Sequence, residues 1–386
     1  MLKHPFKLLS AFLCIWLLTG CAAQQSVSPT EDPIPETSAA ATTAAPEPPE
    51  TTPQDPIRLM LNDMSLEERV GQLFLARCDG ETALEHIGSY HLGGFVLFGQ
   101  DFEEETPDSF RDKLTDYQAA AKIPMLIAVD EEGGTVARVS AHKAFRKQRF
   151  ASPRQLYSRG GMEAVLSEEN EKCTLLTDLG INVNLAPVCD ITTDRKGFLY
   201  HRSFGQDAKT TSDFAANVVT IMDSYRLGSC LKHFPGYGNN VDTHTGMAYD
   251  SRSLEELESK DLLPFAAGIA AGADAILISH TIAACFDPEI PASLSPTVHH
   301  YLRTNMGFQG VILTDDLAMQ AITDTYGAGE AAVLAVLAGN DLLCSTEYVT
   351  QYEAVLAAVL EGRIDIDTLN NAVRRVLQWK MDLGLW

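Results

Sequence analysis

Several features are scarce or missing in this chain of 386 residues. No Cys-x-x-Cys pair occurs, which leaves zinc-ribbon and thioredoxin-like motifs unsupported. Eight cysteines are present, but Cys14 and Cys21 lie near the start, and Cys78, Cys173, Cys189, Cys230, Cys285 and Cys344 are scattered singly. Most sit in apolar runs, so buried thiols are expected rather than a disulfide scaffold. No His-x-His pair ends the first apolar run of the core, and His-x-x-x-His spacing is absent. The Gly-Lys-Ser/Thr of a phosphate-binding loop is missing, as is any evident serine or cysteine nucleophile motif. Lys and Arg number 29 against 52 Asp and Glu, a net charge of −23. An acidic surface argues against a nucleic-acid partner, which selects a basic face.

Long apolar runs are also lacking. The first, Leu8 to Leu18, is shorter than the roughly 20 residues needed to span a bilayer. It follows Lys3 and Lys7 and ends in "LLTGC", so residues 1–21 read as an export signal. The ending is similar to a bacterial lipobox, in which cleavage leaves a lipid-bearing cysteine, here Cys21. Residues 22–56 are rich in Pro, Thr, Ala and Glu. They have little to bury and read as a disordered tether. The expected location is extracytoplasmic, with membrane contact through the lipid anchor alone.

Residues 57–386 carry a repeating pattern. Short apolar runs end in polar or glycine-rich loops, and helical stretches follow. The runs are 71–77, 93–99, 124–130, 181–188, 229–235, 273–280, 310–316 and 340–345. Near-continuous apolar strands separated by helices require a parallel sheet buried on both faces. Eight such units predict a single (β/α)₈ barrel, with a doubly wound sheet as the alternative. Phe110, Leu114 and Tyr117 mark one face of a helix over 108–122. Ser65 with Glu68, and Ser253 with Glu256, have capping-box spacing. Residues 364–386 read as a last amphipathic helix, with no room for a second domain.

In such barrels the active site lies at the C-terminal strand ends. Here those ends carry Asp130, Lys232 with His233, His280, and Asp315 with Asp316. The loop "KHFPGYGNNVDTHTG" (232–246) follows the fifth run. Gly236 and Gly238 permit a sharp turn. Asp242 and His244, two apart, point to one side of an extended segment, and a carboxylate beside an imidazole fixes the ring's tautomer. In "GVILTDDLAM" (310–319) one aspartate at the rim can serve as a nucleophile and the other as a helix N-cap. Strand alternation groups Asp315 with Val311 and Leu313, and Asp316 with Ile312 and Thr314. That grouping does not say which faces the pocket. His233, Asp242, His244 and His280 are the residues a metal would use, but their spacing is not that of a metal site. The glycines of "DEEGG" (130–134) are a weak phosphate-loop signal.

Taken together, "KHFPGYGNNVDTH", "DEEGG…R", "HRSFG" and "TDDLAM" resemble the β-N-acetylglucosaminidase branch of glycoside hydrolase family 3. "INVNLAPVCDI" and "PASLSP" fit as well, and the resemblance spans nearly the whole core. It implies a (β/α)₈ barrel and a retaining mechanism; no cofactor or metal is expected. Asp315 corresponds to the nucleophile, and His244, paired with Asp242, to the acid/base. Asp130, Arg138, Arg202, Lys232 and His233 match positions that hold the terminal sugar. The implied partner is a carbohydrate ending in GlcNAc, from muropeptides or chitooligosaccharides, met by a monomer. Two departures stand out. Tyr237-Gly238-Asn239 replaces the family's usual His-Gly-Asp, and Thr135 replaces an arginine. The competing readings are a β-N-acetylglucosaminide phosphorylase and a solute-binding lipoprotein.

The anchor yields a direct expectation. Cys21→Ser should release the protein from membranes on fractionation and leave activity per molecule unchanged, because the lipid and tether carry no catalytic group. Undiminished membrane retention would contradict the lipobox reading.

Overall fold

Eight short apolar strands form one parallel sheet. In a computed structural model, which describes residues 55–77, 80–192, 194–238, 240, 243 and 246–386, they are β1 Phe74–Arg77, β2 Gly94–Leu97, β3 Leu126–Val129, β4 Val183–Asn184, β5 Gly228–Phe234, β6 Ala275–Ile278, β7 Val311–Thr314 and β8 Leu343–Ser345. Seven lie inside the predicted runs, and β5 starts one residue early. Each pairs with its sequence neighbours, from Leu75 opposite Gly94 to Ala275 opposite Val311. β8 returns to β1, with Phe74 opposite Leu343. Between β7 and β8 a single bridge, Leu313 to Leu342, nearly closes the ring. The result is a TIM-type (β/α)₈ barrel. At Gly94 a side chain is sterically excluded, since a Cβ would lie 2.3 Å from the Leu126 carbonyl of the neighbouring strand.

Strand alternation sorts the apolar side chains into two layers. Leu75, Val96, Leu126, Ala128, Val183, Cys230, Ala275, Leu277, Val311 and Leu313 fill the interior. Their alternates Phe74, Ala76, Phe95, Leu97, Ile127 and Val129 pack outward on the helices. Both faces are therefore buried, which explains the unbroken apolar runs. Cys173, Cys189, Cys230 and Cys344 are free thiols within these layers, and Cys285 is half-buried and free.

The surrounding helices follow their local signals. Ser65 and Ser253 each complete a capping box, with Glu68 and Glu256. The helix Pro107–Ala120 buries Phe110, Leu114 and Tyr117. The stretch after Ser253 is not one continuous helix. A π-helical turn at Leu257–Asp261 separates Leu254–Glu256 from Leu262–Ala270. Pro264 explains it, because proline cannot donate to the carbonyl four residues back and its ring crowds that carbonyl. The last helix, Ile366–Asp382, is capped by Asp365. Its Val376 and Trp379 plug the N-terminal end of the barrel interior. Among the described residues no helix is long and apolar enough to cross a membrane.

Lys380 on this last helix is buried, and its Nζ donates to Gln72 Oε1 at 2.6 Å. Burial pushes its pKa down to about 7, against about 10.4 for an exposed lysine. Between those values the unfolded chain holds a proton that the folded chain has shed, so folding stability rises with pH. The gain is complete above the unfolded value and is lost as pH falls through 7. Thermal denaturation at pH 7 and pH 9 should show a rise in Tm that Lys380→Met flattens. An unchanged slope in the variant would contradict this.

Candidate active site

The C-terminal strand ends open on a cavity of about 720 Å³. Asp130, Arg138, Arg202, Lys232, His233 and Asp315 all line it. Its floor is a charge cluster. Lys232, nearly at the end of β5, is buried, and its Nζ lies 2.6 Å from Asp130 Oδ1 and 2.7 Å from Glu132 Oε1. Arg202 grips Glu132 with two parallel bonds, Nε to Oε2 at 3.0 Å and Nη2 to Oε1 at 2.7 Å. Arg138 approaches Asp130 at 4.0 Å. Burial alone pushes the Glu132 carboxyl up, but the Arg202 and Lys232 charges outweigh it and hold the group well below the carboxylate range. Burial likewise pushes Lys232 down, while Asp130 and Glu132 more than compensate and raise it. Glu132 and Lys232 are thus both held in their charged forms.

His233 is held from behind. Its Nδ1 lies 2.7 Å from Asp190 Oδ2, which also accepts from the His233 backbone N–H at 3.0 Å. The other oxygen of Asp190 accepts from Tyr237 N at 2.7 Å. A carboxylate at Nδ1 keeps the proton there, so Nε2 accepts from Arg202 Nη2 at 3.1 Å. Gly236 and Gly238 turn the chain at φ +110° and +58°. Arg252 buttresses that turn, donating to the Gly236 carbonyl at 2.9 Å and pairing with Asp250 and Asp261. Tyr237 is buried, lines the cavity and hydrogen-bonds Thr243. Asp242 and His244, the expected proton-transfer pair, lie outside the described residues, as do Asn239, Cys78 and Cys21.

The two aspartates after β7 are distinguished by their surroundings. Val311 and Leu313 point into the barrel, and Asp315 continues their series. Its backbone N–H bonds the Ile278 carbonyl at 3.0 Å, and its Oδ1 accepts from Asp316 N at 3.0 Å. Asp316 is no helix N-cap. The next helix starts at Gln320 with Met319 as its cap, because a turn intervenes. The Asp316 carboxylate instead accepts from Ala318 N at 2.9 Å, Thr346 N at 3.1 Å and the Thr346 hydroxyl. It ties the loop after β7 to the loop after β8. His280, weighed with His233 as a metal ligand, is engaged by Ser293 Oγ at 2.7 Å and the Asp316 carbonyl at 2.9 Å. Among the described residues no cluster of three or more His, Cys, Asp or Glu has metal-site geometry.

Sequence reasoning missed Glu131, Glu132 and Asp190. Glu131 is buried and accepts from Arg138 N at 2.8 Å and Val139 N at 2.7 Å, fixing the loop that carries Arg138. Two adjacent acids after a strand and an acid in "APVCD" were the available signals. Arg77 and Phe98 also line the cavity, and the Arg77 and Arg138 guanidinium carbons lie 4.9 and 5.7 Å from the Phe98 ring centre. Thr135 is exposed at the rim.

A (β/α)₈ barrel with a carboxylate and a polar, charge-paired pocket at its C-terminal end has the make-up of a glycoside hydrolase. The chain belongs to glycosyl hydrolase family 3, whose N-terminal domain profile matches residues 65–379. It is 36% identical over 289 residues to a β-hexosaminidase of Stenotrophomonas maltophilia, covering 70% of this chain and 82% of that one. The barrel superposes on a family 3 β-N-acetylglucosaminidase from Paenibacillus with a TM-score of 0.78 and 31% identity, covering 83% of this chain and 63% of that longer one. A β-N-acetylhexosaminidase from Beutenbergia cavernae gives a TM-score of 0.74 at 27% identity, covering 83% of this chain and 99% of that one. The chain is a glycoside hydrolase of the β-hexosaminidase type.

The floor generates a stability prediction. Glu132→Ala removes the carboxylate that Arg202 and Lys232 share, so unfolding by denaturant should show a loss of about 3–5 kcal/mol, the usual cost of stranding a buried charge. A loss below about 1 kcal/mol, the worth of an exposed pair, would contradict the cluster's role.

Proposed function

We propose that the protein is a retaining, exo-acting β-N-acetylglucosaminidase. It removes terminal β-linked GlcNAc from muropeptide fragments or chitooligosaccharides at the outer face of a membrane, where Cys21 anchors it. The observation that carries this reading is that Asp315, Asp130, Arg202 and Lys232 meet in one cavity, with Glu132 pairing the two cations from behind its lining. The floor pairs its charges internally, so it suits a neutral polyol whose hydroxyls exchange hydrogen bonds with fixed donors and acceptors. Asp130, Arg138, Arg202, Lys232 and His233 hold the terminal sugar, and Asp315, just after β7, lines the same cavity.

In the first step the Asp315 carboxylate attacks the anomeric carbon while His244 gives its proton to the departing oxygen. The Asp316 backbone N–H on Asp315 Oδ1 leaves the carboxylate aimed and partly neutralised. In the second step neutral His244 takes a proton from water, whose oxygen attacks the same carbon as its bond to Asp315 breaks, freeing the carboxylate and restoring the original configuration. Most retaining enzymes use a second carboxylate for these transfers. An imidazole with a reference pKa of roughly 6.5 serves both roles near neutrality. Asp242 orients the ring and supports its charged form.

Asp315→Ala should abolish turnover with Tm unchanged, whereas Asp316→Ala should lower stability by about 1–3 kcal/mol through its lost hydrogen bonds. His244→Ala should cost a natural disaccharide about 10²–10⁴-fold, the usual worth of positioned proton transfer. An aryl glycoside with an acidic leaving group should react almost normally in its first step and give a burst. Losses independent of leaving-group acidity would contradict the acid/base role. Added phosphate should leave free GlcNAc as the product, and a sugar 1-phosphate would assign a phosphorylase instead.

A further inference from the structure

The segment "PASLSP" (291–296) lies outside the cavity lining, yet it is built into the barrel rim. Ala292 N donates to the Thr281 carbonyl at 2.9 Å, and Ser293 N to the Ser279 carbonyl at 3.1 Å, so the segment straps the residues just after β6. Asn340, ahead of β8, donates from Nδ2 to the Ser293 carbonyl at 2.7 Å. Ser293, His280 and Asn340 are all buried. Most buried polar side chains have at least one hydrogen-bond partner, and each of these three does.

The contacts run in series toward Asp315. A carbonyl oxygen can only accept, so His280 Nε2, 2.9 Å from the Asp316 carbonyl, carries a proton. In the neutral ring Nδ1 is then an acceptor, and the Ser293 hydroxyl donates to it, Oγ to Nδ1 2.7 Å. The peptide unit that follows Asp315 ends in Asp316, whose N–H reaches Asp315 Oδ1 at 3.0 Å. The Asp316 side chain holds Thr346 on the other flank. Asp316 is therefore fixed on one side by its carboxylate and on the other by His280.

We propose that His280 and Ser293 are positioning residues for the nucleophile: Ser293 sets the tautomer and angle of His280, which holds the Asp316 carbonyl and so the residue whose N–H meets the Asp315 carboxylate. Neither residue is among those placed against the sugar. The proposal rests on Asp315 being the nucleophile. Its effect falls on covalent-bond formation and not on sugar binding. A displacement of the attacking oxygen by a fraction of an ångström costs rate without costing affinity.

The test uses the full chain and an activated fluorinated GlcNAc glycoside that traps the covalent intermediate. Trapping rate, competitive inhibition by GlcNAc and Tm are read for Ser293→Ala, Ser293→Thr and His280→Leu. Ser293→Ala should slow trapping about 10-fold, and His280→Leu about 100-fold, the range expected for a misplaced reacting group. The GlcNAc inhibition constant should stay unchanged, and Ser293→Thr, which keeps the hydroxyl, should restore trapping. If His280→Leu does not fold, the serine pair decides the matter. Normal trapping in folded Ser293→Ala would overturn the proposal, as would equal losses in trapping and GlcNAc binding. If the label in the unsubstituted chain falls on a residue other than Asp315, the nucleophile assignment fails first, and that outcome is distinct from the other two.

Discussion

The buried ammonium of Lys232 is the group around which the cavity is organised. An unpaired charge taken out of water costs several kcal/mol, and Lys232 is 1% exposed. It is tolerated because Asp130 and Glu132 lie within 2.7 Å of its Nζ. Glu132 in turn requires Arg202, and Arg202 leans on His233, which Asp190 holds. Each member satisfies the next, so none can be removed without stranding a neighbour. The elements joined this way come from the ends of β3 and β5 and the loop after β4. The cluster stabilises the chain only as a closed set, and the same set forms a rigid, charge-balanced surface in the cavity.

The nucleophile side is built on a different principle. Asp315 enters the cavity from the end of β7, on the same cavity lining as Asp130, Arg202 and Lys232. It is aimed by backbone geometry, since the inward series of β7 brings its side chain over the barrel interior. Its carboxylate is steadied by the following N–H. The residue next to it, Asp316, spends its own carboxylate on joining two loops. Both acids line the cavity, but the Asp316 carboxylate is spent on holding the rim together. The charged cluster and the aimed carboxylate face the same cavity.

Much of this was legible in the sequence because the signals were local. Unbroken apolar runs require burial on both faces, and eight of them located the strands to within one residue of the observed starts or inside the runs. Capping boxes at Ser65 and Ser253 act over three residues and formed where expected. The π-helical turn before Pro264 was not foreseen, because capping spacing is silent about helix interiors. The choice between Asp315 and Asp316 needed the third dimension: alternation pairs Asp315 with Val311 and Leu313, but only the packed barrel shows that this pair points inward. Glu132 and Asp190 were missed for a related reason. Their partners lie 70 and 43 residues away, and an acid in a loop looks alike whether it meets solvent or a guanidinium. Asp242 and His244 were read from their two-residue spacing and from the motif resemblance.

The central claim is that catalysis passes through a covalent bond to Asp315. Incubation with a slow fluorinated GlcNAc glycoside, followed by proteolysis and mass spectrometry, tests it most directly. The account predicts one sugar added per chain, on the peptide containing Asp315, with the adduct lost on slow turnover. A label on any other acid, or turnover without a trapped adduct, would contradict it.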